Sequence, residues 1–439
     1  MKKFLAVLAV VALVCLSSMA FAADVTVGGS VEIRSRDFSD LGLNKKLDPV
    51  KKGDTTDTQE RIRLDVNAKA GDNVKGKIEL ESDFGTGTSG AASNYTNNDW
   101  GQFESYHGNG SPTDTGNNLG FREAWLSINL PGLPVNVTAG HQLLQLGNGW
   151  FFLSKHFGSD AWVVANQTGN NTVAFVDVKI AEGLVQNSDD VDAYALLDVY
   201  KLSDTATVGV DLTVANDPWN NLRFNTAPNY VTGVHYGTQA ENLGLNFNGK
   251  TGPVALKAEL DLQTGTAKGA PATGDKKFKG NQIVVQGAMP MDPVTLNFTV
   301  ARGSGDKIGN KDYDGYRTFL DINPHYTFLY EYKLATAAGA AHTGFANTTA
   351  LNVGATFAAA KSLNIGANLW YLRSTEKVAN KKNVGGSATN DLGTELDVNI
   401  AWQLYQNVSW NWDLGYFNPG DGMGKDAATG IQGVLAFKF

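Results

Sequence analysis

The residues best placed to act on a solute are charged side chains that recur at every second position. Arg34, Arg36, Arg61, Arg63, Lys69, Lys75 and Lys77 gather early in the chain, and Glu79, Glu81 and Asp83 follow at once. Acids dominate later: Asp177, Asp192, Asp198, Asp211, Glu259, Asp261, Glu395, Asp397 and Asp413. Charges spaced by two on a strand share one face. Such a wall neither makes nor breaks bonds. It sorts ions by sign, and a basic wall facing an acidic one sets up a transverse field that orients dipolar solutes. The competing reading is paired charges that only stiffen the wall. Arg34, Arg36, Arg61, Arg63, Lys75, Lys77, Glu79, Glu81, Asp198, Glu259, Asp261, Glu395 and Asp397 are accordingly expected to line a pore.

Covalent chemistry has little to stand on. The histidines (His107, His141, His156, His235, His325 and His342) are scattered. No Gly-x-Ser-x-Gly elbow, His-Glu-x-x-His pair, phosphate loop or dinucleotide fingerprint is present. The expectation is a protein that is not an enzyme and carries no cofactor. One stretch has metal-like spacing. Asn310, Asp312, Asp314 and Asp321, with Gly315, follow the oxygen positions of a calcium loop. Asn at the first position, Asp at the last and no flanking helices leave a solvated acidic loop as the alternative.

The elements that must position these residues are strands. In 60–70, Ile62, Leu64, Val66, Ala68 and Ala70 alternate with Arg61, Arg63, Asp65, Asn67 and Lys69. Segments 74–84, 254–263 and 391–402 alternate in the same way. No apolar run after the N-terminal one approaches the ~18 residues of a membrane helix. Segments of about ten residues joined alternately by short turns and long polar loops fit a transmembrane β-barrel. The short turns are 71–73, 131–134, 168–171, 202–204, 250–253, 290–293, 360–362 and 405–407. Eight turns on one side predict about eighteen strands, with sixteen to twenty allowed by two weak stretches, 216–240 and 303–346. A soluble β-sandwich would alternate too. Trp402, Trp410, Trp412, Tyr371 and Tyr416 fall on the predicted lipid face, where ring and polar tip suit the membrane interface.

Both ends agree with export. Lys2 and Lys3, the apolar run Phe4 to Leu16 and the small residues of Ala20-Phe21-Ala22 predict a signal peptide, residues 1–22, ahead of a single barrel domain, 23–439. Cys15, the one cysteine, lies inside that leader, preceded by a bulky Val14 that disfavours lipidation. The chain beyond it therefore has no disulfide or thiolate metal site. The full chain carries a formal charge of −8, and loss of Lys2 and Lys3 with the leader would take it to −10, which argues against nucleic acid as a partner. Ile431 to Phe439 alternate to the terminus, which predicts a last strand ending in an aromatic residue.

Three segments carry a family likeness: Phe121-Arg122-Glu123-Ala124-Trp125, Pro134 to Leu143, and Leu146-Gly147. They resemble the alginate-export-type family of outer-membrane barrels, and Phe319 to Phe328 loosely matches a later family segment. The resemblance implies eighteen strands, and it implies recognition of Phe439 by the barrel-assembly machinery. His141 stands where that family usually has Arg. An alginate conduit should be strongly basic inside, whereas these inward charges are mixed, so alginate is not carried over. The expectation is a Gram-negative outer-membrane porin, bathed in lipid, that passes small hydrophilic solutes or ions. A polymer-export conduit and a plugged structural or adhesive barrel are the alternatives. Monomer and trimer both stay open. A barrel this wide needs a loop to narrow it. Leu146-Gly147-Asn148-Gly149 followed by Trp150, Phe151 and Phe152 is the best candidate, because aromatic rings on an outer loop need burial. Loops 85–119 and 303–346 compete for that role.

Overall fold

The computed structural model describes residues 23–43, 54–87, 119–181, 190–217, 237–268, 274–307, 309–320, 325–334 and 344–439. The predicted leader, Asp321, the side chain of Asp83 and most of loop 85–119 lie outside the described residues.

Eighteen long strands follow one another. They are β1 (Ala23–Ser39), β2 (Thr55–Ala70), β3 (Val74–Gly87), β4 (Leu119–Asn129), β5 (Val135–Gln145) and β6 (Phe152–Thr168). Next come β7 (Asn171–Ala181), β8 (Val191–Ser203), β9 (Ala206–Asp217), β10 (Thr238–Thr251), β11 (Val254–Ala267) and β12 (Asn281–Met291). The set ends with β13 (Val294–Gly303), β14 (Thr348–Ala360), β15 (Leu363–Val378), β16 (Thr389–Tyr405), β17 (Val408–Pro419) and β18 (Ala428–Lys438). Each pairs antiparallel with its neighbour, and β1 pairs with both β2 and β18, so the sheet closes. All eight predicted short turns join consecutive strands. At the seam Gly29 and Phe439 exchange two backbone hydrogen bonds of 3.0 Å.

Closure follows from the solvent. Lipid offers no partner for backbone N–H and C=O groups, so an open sheet edge is not tolerated there. The side chains are sorted accordingly. Ile62, Ile78, Leu212, Leu245, Leu262 and Leu396 are exposed on the outer face, while Arg61, Glu79, Glu81, Glu259 and Glu395 are buried inside. Exposed apolar groups around buried charge is the inverse of a soluble sandwich and excludes that alternative. Trp402 pairs with Trp410 close to the 406–407 turn, and Tyr371, Tyr416 and Trp162 lie exposed on the outer face farther up. This distribution suits an aromatic girdle.

Three acids expected inside point outward. Asp198 shares a row with Val173 on β7 and Val210 on β9, both exposed, and its face-mates Leu196 and Tyr200 are exposed too. Asp177 pairs with Trp162 and Tyr194 on that same face, and Asp192 pairs with Lys179. In β8 both alternating sets carry apolar residues, so periodicity alone does not choose between them. The small set, Val191, Ala193 and Ala195, turns inward because Phe151 and Phe152 pack against it in one cluster. Asp198 lies near the short 204–205 turn, where an outward acid costs only about 0–1 kcal/mol.

Leu245 sits midway along β10, opposite Val210 and Leu260 on the outer face. Leu245→Arg is expected to lower folding stability in lipid vesicles by about 2–4 kcal/mol. A cost near zero in a denaturant titration would contradict this assignment of the lipid face.

Candidate functional site: lumen wall and infolded loops

The first four strands bring their inward charges into one network. Arg63 Nε lies 2.6 Å from Glu81 and 3.5 Å from Glu79, and Arg61 lies 3.5 Å from Glu81. Lys77 reaches Glu79 at 2.7 Å, Glu123 at 2.9 Å and Asp65 at 3.3 Å. Arg36 pairs with Asp57, and Arg34 donates to Gln59. Lys75 is exposed near the periplasmic turn. The predicted basic wall is thus a mixed ladder, with acid beside base at each level.

Arg122 joins this ladder without having been singled out for it. The register slips between Glu79 and Leu80, which leaves Arg122 as an extra residue on β4. Such a bulge re-aims a side chain. The guanidinium turns inward to Glu79 Oε1 at 2.5 Å and donates to the carbonyls of Lys155 and His156. The sequence signal is the adjacent pair Arg122-Glu123, which breaks the alternation of Phe121, Ala124 and Leu126. His141 Nδ1 lies 2.8 Å from Asp160 in the adjacent strand pair.

Two loops fold into the lumen. The one between β5 and β6 carries Trp150 and Phe151 and leads into Phe152 at the start of β6, all three buried. It reaches across to β11, where Glu259 accepts the backbone N–H of Asn148 at 2.5 Å and of Trp150 at 3.1 Å. Asn148 Nδ2 also donates to the Ala258 carbonyl at 2.8 Å. Gly147 has φ +53°, which disfavours a side chain, and a Cβ there would also stand 2.8 Å from the Glu259 carboxylate.

The second loop spans the residues between β13 and β14. Its segment 325–334 presents Leu329 and Tyr330, whose N–H groups donate to Glu395 on β16 at 2.5 and 2.8 Å. His325 Nδ1 lies 2.6 Å from Glu331 within the same segment. The two loops meet: the Trp150 ring lies tilted 4.8 Å from Phe345 and 6.4 Å from Tyr326. Residues 319–320 also pair in parallel with 152–153 at the start of β6. An apolar core therefore sits inside the barrel, built from Phe38, Trp150, Leu329, Tyr330, Phe345, Leu372 and Phe417.

Glu259 and Glu395, expected to face the pore, are sealed beneath these loops at 2 % and 0 % exposure. Each carboxylate neutralises two backbone donors rather than meeting water. Asp397 follows Glu395 on the same face of β16, and Asp413 on β17 pairs with Asn399 one step further along. Lys333, on the second loop, sits 4.9 Å from the Phe38 ring and 4.3 Å from the Tyr332 ring. Burial, then the neighbouring Arg36 and Arg34 charges, push its ammonium down to about 6.

In the calcium-like stretch, Asp312 lies 2.6 Å from Lys279, whose ammonium holds that carboxyl below its usual range. Asn310 turns its amide N–H₂ toward Asp314. Among the described residues no three His, Cys, Asp or Glu side chains converge as a metal-ligand group.

The alginate export family model matches residues 24–432. The chain belongs to the alginate export family. No curated protein matches it by sequence. Among solved structures it is similar to a BenF-like porin from Pseudomonas fluorescens Pf-5, at 10 % identity and TM-score 0.59, covering 95 % of this chain and 98 % of that one. OccK8 (OprE) of Pseudomonas aeruginosa matches at 10 % identity and TM-score 0.53, over 95 % and 98 % of the two chains. The outer membrane protein OpdK of the same organism matches at 10 % identity and TM-score 0.55, over 94 % and 98 %. Identities this low speak for the fold alone. With its family, its closed barrel and its apolar outer face, this member is a porin-type barrel of the Gram-negative outer membrane.

The paired anchors make a selective prediction. In Glu259→Gln, amide protection at Asn148 and Trp150 is expected to fall by at least roughly tenfold, because bonds to charged acceptors contribute about 1.5–3 kcal/mol. Leu329 and Tyr330 should stay protected, and Glu395→Gln should show the reverse. Hydrogen exchange that is unchanged in both variants would contradict the anchoring.

Proposed function

We propose that the barrel passes small hydrophilic solutes or ions down their gradients, along the lumen face of β1–β4. The supporting observation is the partly exposed charge that the infolded loops leave on the first three strands. The infolded loops cover the acids of β11 and β16 together with Arg34 and Arg36 on β1, while Arg63, Lys77, Glu32 and Asp65 on β1–β3 keep partly exposed side chains. A mixed ladder gives a solute many weak, exchangeable contacts, which is what conduction needs. The transport is passive and uses no covalent chemistry or cofactor. We also assign export to removal of residues 1–22, and assembly to recognition of the last strand through Phe439. OpdK has been solved with vanillate, a small aromatic carboxylate. Solutes of that size are the scale intended here, rather than a polysaccharide.

A second reading, a plugged structural barrel, is favoured by the apolar core formed where the loops meet. Liposome swelling with neutral sugars of increasing size separates the two. The porin reading expects swelling for small sugars with a sharp upper limit, and no swelling at any size would support the plug.

The ladder has its own test. Replacing Arg63 and Lys77 together by Gln removes two positive charges from the exposed strip. The reversal potential in a salt gradient is expected to shift toward cation selectivity, by an amount that shrinks as salt rises and screening shortens. A reversal potential equal to wild type would place the solute path elsewhere.

A further inference from the structure

The lumen wall changes character on β6–β8. Leu197 pairs with Asp211 on β9, which is buried on the inner face, as is Asp261 farther round on β11. Leu197 also pairs with Ala174, and Ala174 with Ala165, so this inward row crosses three strands without a polar side chain. One row up, Val163 pairs with Val176, and Val176 with Ala195. The first infolded loop seals the upper part of this face, where Phe151 and Phe152 cluster with Val176, Val178, Ala193 and Ala195. Val163 and Leu197 pack at the margin of that cluster. They stay half-buried, as do Ala165, Ala174 and Val199. The lumen face of β15–β17 is polar instead: Asn368 pairs with Asp397, and Asn399 with Asp413. A water-filled lumen is ordinarily polar, and apolar groups left facing water there favour a ligand that covers them.

This apolar strip joins the charged ladder through one row of partners. Lys77 pairs with Trp125, Trp125 with Gly140, and Gly140 with Ala161. Trp125 is half-buried, and its Nε1 donates to Glu123 at 3.2 Å, so the indole stands on the ladder side. Gly140 puts no side chain between that ring and β6. At the ladder end Lys77 lies 3.3 Å from Asp65, with 19 % and 28 % of their side chains exposed. A base beside an acid matches a solute that carries both charges. A ring followed by aliphatic groups matches an apolar body attached to it. A simple ion meets acids and bases that offset one another, and gains nothing from the strip. Resting on the passive path proposed above, we infer that the lumen face from Lys77 and Asp65 through Trp125 to Val163 and Leu197 is a binding strip for zwitterionic solutes with an apolar side chain, the chemistry of an aliphatic or aromatic amino acid.

The test is uptake of radiolabelled leucine and asparagine, at micromolar concentration, into proteoliposomes holding protein purified folded from outer membranes, with the uptake of protein-free vesicles subtracted. Heat-modifiable gel mobility confirms that each sample is folded. The two amino acids are nearly equal in size and charge and differ in side-chain polarity. Neutral ribose, measured in the same vesicles, reports the open path. Leucine is expected to enter at least about threefold faster than asparagine, the order expected when part of its side chain leaves water. Val163→Thr with Leu197→Gln should bring the two rates together. If that double variant does not fold, Val163→Thr alone decides, and should lower the leucine preference. Lys77→Gln with Asp65→Asn leaves the net charge unchanged and should slow leucine relative to ribose. Ribose entry with equal rates for the two amino acids in wild type would overturn the strip and leave the porin reading standing. A leucine preference that survives the wall variants would overturn the strip too, as would leucine entry unaffected by loss of the charged pair. Exclusion of ribose and of both amino acids would overturn the porin reading itself, and the strip with it.

Discussion

Everything in this molecule depends on one constraint: hydrocarbon cannot accept or donate a hydrogen bond. Every backbone group at membrane depth must find its partner within the sheet, so the sheet must close on itself. Gly29 and Phe439 make the last of those pairings at the seam. Closure divides each strand into a face for lipid and a face for the lumen. The charged residues then have one permitted direction over most of the barrel's height. Asp198 departs from it on the outer face close to a turn, where the cost of an outward acid is smallest.

The lumen carries a second level of organisation. Carboxylates along β11 and β16 do not serve as open lining. They hold the loops that fill the barrel, each by taking two backbone N–H groups from a segment rich in aromatic residues. Packing of Trp150 against Phe345 joins the two loops into one body. That body covers Arg34 and Arg36 as well, and leaves partly exposed charge on Glu32, Arg63, Asp65 and Lys77.

Strand number, turn positions and the direction of most side chains were legible in the sequence, because alternation and turn residues are local signals. The inward fold of Trp150, Phe151 and Phe152 was legible as well, since rings on an outer loop need somewhere to bury. Three things were not. Asp177, Asp192 and Asp198 sit in strands where both faces carry apolar residues, and only the packing of the infolded loop decides which face turns in. Arg122 enters the ladder through a bulge, a register slip that strict period two cannot show. The roles of Glu259 and Glu395 depend on loops distant in sequence (Asn148 and Leu329 begin their respective partner pairs), and no local pattern announces such contacts.

Single-channel recording tests the central claim most directly. The protein, purified folded in detergent, would be added to a planar bilayer under symmetric salt. Stable ohmic steps are the result the proposed path predicts, because a continuous water-filled strip along β1–β4 would carry current. Electrical silence from protein shown to be folded and inserted would contradict the open path and leave the infolded loops as a permanent plug.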